Sequence, residues 1–338
     1  MLRQIIAFFL VIGTFHYAYS QNGKARLFKP SISVSYTYVP EKKLSDSVGN
    51  FSNQIARVGF FIPIWNHYNA GDSAHKSTYF QVIASANNAV SFPQLRGILA
   101  NQTLLNSSLG VSGVCVRNRK NIFTVSLHTL TGDDEKTIAH PEIRYAGIAL
   151  YRRNVSRNFS FTTGLAYSYF VGRGILFPVL GATFKAGKKV RVIINLPTRI
   201  SVVALLNRKF LMTAYLKPNG GFNFISNQSI YTKIPSEINF RQRETRVGMS
   251  AVWRAPQNFH ISGDIGLSCR RTITLSDGLG KSATKYYKTG IDNGVYFTIG
   301  IKYIFRSVRK DKEDEIIDTD KAKDELLNDP DFYNIVTE

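Results

Sequence analysis

Phe159-Ser160-Phe161-Thr162-Thr163-Gly164-Leu165-Ala166-Tyr167-Ser168-Tyr169-Phe170 alternates without a break. In an extended chain Phe159, Phe161, Thr163, Leu165, Tyr167 and Tyr169 share one face, and Ser160, Thr162, Gly164, Ala166, Ser168 and Phe170 share the other. The arrangement returns where Val247, Met249, Ala251 and Trp253 oppose Arg246, Gly248, Ser250, Val252 and Arg254. It returns again where Val295, Phe297, Ile299, Ile301, Tyr303 and Phe305 oppose Tyr296, Thr298, Gly300, Lys302 and Ile304. One face is apolar and the other is small or charged. A soluble sandwich buries the apolar face, whereas a transmembrane barrel turns it to lipid and lines its lumen with the other. Alternation alone does not choose between them.

The connectors do. Short basic ones (Asn118-Arg119-Lys120, Arg152 to Asn158, Gly187-Lys188-Lys189, Asn207-Arg208-Lys209, Ala255 to Asn258) take turns with long ones (Pro40 to Asn50, Ala86 to Asn106, Thr131 to Pro141, Ser226 to Asn239, Ser276 to Asn293). Barrels of bacterial outer membranes have short periplasmic turns, long outer loops and aromatic residues near strand ends. The expected fold is all-β: a transmembrane antiparallel up-and-down β-barrel with strands near 31–39, 53–63, 77–86, 107–117, 121–130, 142–152, 158–170, 177–186, 190–196, 199–206, 209–217, 240–254, 258–273 and 294–306. That makes fourteen, with both ends in the periplasm. Twelve full strands remain if the short pair joined at Leu196-Pro197-Thr198 does not cross, because proline cannot donate to a central ladder.

The N-terminus has the order of a secretory signal: Arg3 in a positive lead, an apolar run from Ile5 to Gly13, and small residues at Ala18 and Ser20. The expected organisation is a signal peptide over 1–20, a periplasmic lead-in over 21–30, the barrel over 31–306 and a charged periplasmic tail over 307–338. No run of apolar residues reaches the eighteen or so of a spanning helix. Two cysteines, Cys115 and Cys269, make neither a disulfide framework nor a zinc site. Of the 43 Lys and Arg and 23 Asp and Glu, residues 21–308 carry 37 basic and 12 acidic, and the stretch from Arg309 carries five basic and eleven acidic. A basic body otherwise suggests nucleic acid, but export and the lack of an RNP-like motif or Cys/His finger count against it.

Thr298-x-Gly300-x-x-Tyr303-x-Phe305 resembles the β-signal by which the barrel-assembly machinery recognises a last strand, departing from it in that Phe305 is not the chain terminus. Together with Ser33-Val34-Ser35-Tyr36-x-Tyr38-Val39-Pro40, Phe60-x-Ile62-Pro63, Phe177-Pro178-Val179-Leu180-Gly181 and Leu196-Pro197, the chain resembles an uncharacterised family of outer-membrane β-barrel proteins of Bacteroidota-type bacteria over residues 30 to 306. The resemblance implies fold and location and supplies no catalytic residues.

Strict alternation puts Arg144, Lys185, Arg246, Arg270 and Lys302 on the small-residue face, with Asp264 among the few acids inside the strands. A charge on the lipid face near the midplane costs about 2–4 kcal/mol, so these residues are expected to line the lumen. A water-filled lumen of this kind favours anions, and the expected function is a pore or uptake channel for small, anionic solutes. The alternative is a closed barrel, its basic side chains paired with Asp264, Glu244 and tyrosine hydroxyls. It would act as a structural or assembly subunit whose tail binds a periplasmic protein. A third reading is an outer-membrane lipid hydrolase using Ser126 with His128 or His260 with Ser262, but neither pair carries a phospholipase-type signature. No enzyme, cofactor or metal is expected: His67, Asp72 and His75 are loosely spaced, and Asp133-Asp134-Glu135 reads as a solvated acidic turn. The partners expected are outer-membrane lipid and lipopolysaccharide, the barrel-assembly machinery, and a protein at the tail.

Overall fold

The computed structural model describes residues 28–45, 49–69, 78–96, 103–118, 120–134, 143–168, 174–187, 189–226, 237–277 and 284–305. Residues 1–27, with the expected signal peptide, the tail from 306 onward, Asp72, His75 and Glu135 lie outside the described residues. The strands are β1 (Ser31–Lys43), β2 (Asn50–Asn69), β3 (Thr78–Ser91), β4 (Gln94–Arg96), β5 (Leu104–Arg117), β6 (Asn121–Asp134), β7 (Arg144–Asn154), β8 (Phe159–Ser168), β9 (Ile175–Ala186), β10 (Val190–Leu196), β11 (Arg199–Asn207), β12 (Phe210–Ser226), β13 (Glu237–Arg254), β14 (Phe259–Ser276), β15 (Lys285–Ile291) and β16 (Gly294–Ile304). Fourteen form a closed antiparallel wall, sealed where β1 pairs with both β2 and β16. β4 and β15 are additions at the outer end, paired to β2 and β14. The short β10 and β11 do cross, joined by a turn at Pro197 and Thr198 that Thr198 closes by donating to the Asn195 carbonyl at 3.1 Å. Proline sits in the turn and costs the ladder nothing.

The outward face is the apolar one. Leu109, Val111, Val125, Leu127, Leu165, Leu180, Val202, Met249, Ile265 and Ile299 are exposed there. On β14 the outward residues run from Phe259 to Leu267. At about 3.4 Å per residue and a tilt of about 40°, they cover about 21 Å of membrane normal, close to the height of the apolar band of such barrels. Near the short turns a girdle of rings pairs across strands at centroid distances of 4.9 Å: Phe123 with Tyr151, Phe159 with Phe184, Phe259 with Tyr303. These turns use left-handed backbone at Asn118, Gly187, Gln257 and Asn258, conformations that glycine and asparagine adopt readily.

The long connectors contain more sheet than their composition suggests. β5, β6, β12, β13 and β14 continue beyond the apolar belt, and β15 adds a strand within 276–293. Inward side chains Leu104, Ile225, Ile238, Phe240, Ile273, Leu275 and Ile291 of these strands pack with Leu44, Phe51 of β2 and Leu95 of β4 into one dry core. This head forms because β7 to β11 stop short and β12 leans across their tops to meet β6 at Phe224 and Asp133. Asp133 and Asp134, read from sequence as a solvated turn, are therefore strand residues buried at this junction.

Candidate functional site: the barrel lumen

Below the head the lumen is built around Glu244. Its carboxylate accepts from Arg246 at 2.7 Å, Ser268 at 2.6 Å and Asn219 at 2.6 Å, and Arg271 approaches it at 3.5 Å. The Arg246 guanidinium also lies 4.5 Å from the Tyr296 ring centroid, and that of Arg271 lies 5.4 Å from Phe51. Two guanidinium groups sharing one carboxylate leave the cluster net positive. Tyr296 on β16 reaches past β13 and β14 to hydrogen-bond Tyr215 of β12 at 2.6 Å, and Arg199 and Lys217 lie 5.2 and 5.7 Å from the Tyr215 ring. The reach is available because Gly248 and Gly266, cross-strand neighbours, leave the Tyr296 hydroxyl its place: a Cβ on either collides with that oxygen. Gly248→Ala is expected to displace Tyr296 and cost about 1–3 kcal/mol, the usual penalty of overpacking. The urea midpoint of the folded barrel measures it, and an unchanged midpoint would mean the tyrosine bridge is not held by this pair.

At the end of the barrel that carries the short turns, residues 28–30 bend inward ahead of β1. Phe28 donates its amide to Gln81 Oε1 at 3.1 Å and accepts from Gln81 Nε2 at 3.2 Å, so the glutamine side chain imitates a strand partner. Its ring packs among Phe61, Ile83, Val114 and Ile122. Residue 28, expected in a periplasmic lead-in, is thus part of the lumenal filling.

Of the six residues singled out from sequence, Arg246 and Asp264 face the middle of the lumen, Lys185 faces it near a periplasmic turn beside Arg191, and Lys302 faces it beside His260. Arg144 has a different task. At 6% exposure it donates to the carbonyls of Gly132 and Phe222 and stacks 4.5 Å from the Phe222 ring, clamping β6 to β12. Arg270 is a correction. It takes a positive φ of 50° at a bulge opposite Glu244, is exposed, and hands its lumenal place to Arg271. An inserted residue flips the face of everything after it. Two adjacent arginines in a membrane strand were the sequence signal for that bulge.

Arg57, Arg191, Arg199 and Lys217, not singled out from sequence, also stand on the inward register, as does Arg254, which alternation places there. The assembly-signal residues divide by face. Thr298 and Gly300 point inward, Thr298 sharing a hydrogen bond with Thr37 at 2.9 Å, and Tyr303 packs 5.0 Å from Phe305 at the girdle.

The hydrolase pairs are not assembled among the described residues. The Ser126 hydroxyl is buried with no hydrogen-bond partner, Ser262 donates weakly to the Gly300 carbonyl at 3.4 Å, and the His128 ring lies against Gly110. His67 stacks on Trp65, and no group of three metal-ligating side chains occurs among the described residues.

Solved structures with a similar arrangement include the COG4313 outer membrane channel from Pseudomonas putida F1, at 10% identity over 84% of this chain and 99% of that one, with a TM-score of 0.41. Another is the translocator domain of autotransporter NalP from Neisseria meningitidis, at 11% identity over 89% and 96%, with a TM-score of 0.34. LpxR from Salmonella typhimurium has 9% identity over 81% and 100%, with a TM-score of 0.33. No curated protein matches the chain. A closed wall, an apolar outer belt and a polar lumen make this a transmembrane barrel of the bacterial outer membrane. A family model matches residues 18–304, and the chain belongs to that family, the domain of unknown function DUF6268.

Proposed function

We propose that the barrel is a passage for small anionic solutes and not an enzyme. The observation that carries this reading is the charge of the inward register. Arg57, Lys185, Arg191, Arg199, Lys217, Arg254 and Lys302 stand there in addition to the arginines that Glu244 holds, with Asp264 as the further acid between the turns and the head. A low-dielectric bore lined by one sign of charge concentrates counter-ions of the other. Phe28 and its partners fill the sector under β2, β3, β5 and β6, while beside β14, β16 and β1 a cavity remains to which Ser33, Ser35, Ser262 and Lys302 contribute.

The test is the reversal potential of the full barrel in a planar bilayer under a KCl gradient. Anion selectivity is expected, falling or inverting in Arg57→Glu with Lys302→Glu. No conductance from barrels shown to be folded by heat-modifiable migration would overturn the passage. It would favour the second reading, a closed barrel with a partner at the acidic tail, for which the dry outer head is the supporting observation. Pull-down with the tail would then identify the partner.

A further inference from the structure

A cavity of about 240 Å³ opens in the lumenal wall, where the polar side chains of Ser33, Ser35, Asn87, Ser262 and Lys302 share the lining with apolar ones that include Phe60 and Phe61. Two glycines shape it. A Cβ on Gly59 would stand 2.6 Å from the Asn87 Oδ1 and 2.8 Å from the Ser33 hydroxyl, and one on Gly300 would stand 2.8 Å from the Ser262 hydroxyl. The missing side chains are what let these polar groups gather. Register adds charge: Arg254, His260, Lys302 and Ser33 are successive cross-strand neighbours on β13, β14, β16 and β1, all on the inward face. Two cationic side chains, Arg254 and Lys302, with the His260 imidazole between them, thus lie in a row that ends at the cavity, and the row continues through Gly59 to Asn87 without an acid.

The hydroxyls are loosely held. Ser33 reaches the Gly59 carbonyl at 3.5 Å and Ser262 the Gly300 carbonyl at 3.4 Å, longer than the 2.5–3.0 Å of a good O–H···O bond. They can turn to a ligand at little cost. The cavity's volume of about 240 Å³ is several times the share of about 30 Å³ that one water takes in the liquid. That exceeds what a halide needs and suits an oxyanion carrying a short hydroxylated chain.

We propose that this cavity binds a small hydroxylated oxyanion, a phosphorylated or carboxylated polyol, as it passes through the barrel. Lys302 meets the charge inside the cavity, Arg254 and His260 form its approach, and Ser33, Ser262 and Asn87 take the hydroxyls. The idea rests on the passage reading and deepens it.

Calorimetric titration of the full barrel, folded in detergent, tests it with glycerol 3-phosphate, glycerate and glycerol. Saturable binding of one or both anions and none of glycerol is expected, and which anion binds assigns phosphate or carboxylate. Lys302→Met should weaken binding at least tenfold, and Lys302→Arg should retain most of it. Glycerol binding as well as the anions, or Lys302→Met binding unchanged in a heat-modifiable barrel, overturns the site. Anion conductance without saturable binding also overturns the site but leaves the passage standing. Saturable binding in a barrel that does not conduct supports the site and removes the passage.

Discussion

Glu244→Ala is expected to destabilise the folded barrel by about 3–5 kcal/mol, the cost of stripping the partner from a buried charge. The side chains of Glu244 and Arg271 are fully buried and that of Arg246 is 5% exposed. Removing one carboxylate therefore leaves two guanidinium groups without their counter-charge and Ser268 and Asn219 without their acceptor. The urea midpoint of the barrel in lipid vesicles reads the loss directly. Glu244→Ala combined with Arg246→Ala should recover part of it, since one of the orphaned charges goes too. A loss below about 1 kcal/mol, the scale of a solvated surface pair, would mean that water reaches both arginines and the pairs are not buried.

Phe28→Gly is expected to raise single-channel conductance severalfold with little change in ion selectivity. The ring is almost wholly buried among Phe61, Ile83, Val114 and Ile122, and without it the segment loses its reason to stay in the bore. Gln81→Leu should act the same way by another route. It deprives the Phe28 amide and carbonyl of both partners, and each buried orphan costs about 1–3 kcal/mol. Selectivity should hold because the basic residues are untouched. Unaltered conductance in both variants would mean that Phe28 does not narrow the conducting path beside β14, β16 and β1.

The wall was legible in the sequence because the membrane imposes one rule on every strand: apolar out, small or charged in. Phe159 to Ser168 and Val295 to Ile304 state it openly. The head was not legible because the rule reverses above the membrane. On β13 the apolar residues Val247, Met249 and Trp253 point outward, whereas Ile238 and Phe240 point inward on the opposite register. A strand whose pattern changes phase at Glu244 reads as irregular. On β14 the reversal is hidden by the extra residue Arg270, which puts Leu267 outside and Ile273 inside on the same odd count. The charged lumenal face could be read from parity alone. The role of Arg144 depends on β12 crossing to β6, and Phe28 on a chain turning back before its first strand, contacts that no local pattern encodes.

The wall is also uneven in height. β10 has seven residues and β11 nine, against eighteen each in β13 and β14. Seven residues at about 3.4 Å and a tilt of about 40° reach about 16 Å along the membrane normal, short of the apolar band near 25 Å. The nine residues of β11 reach about 21 Å, as far as the outward run of β14, so the hairpin attains the edge of the apolar belt and stops there. The wall therefore ends level with the apolar belt on this flank and rises above it on the flank of β13 and β14, which gives the outer rim a low side and a high side.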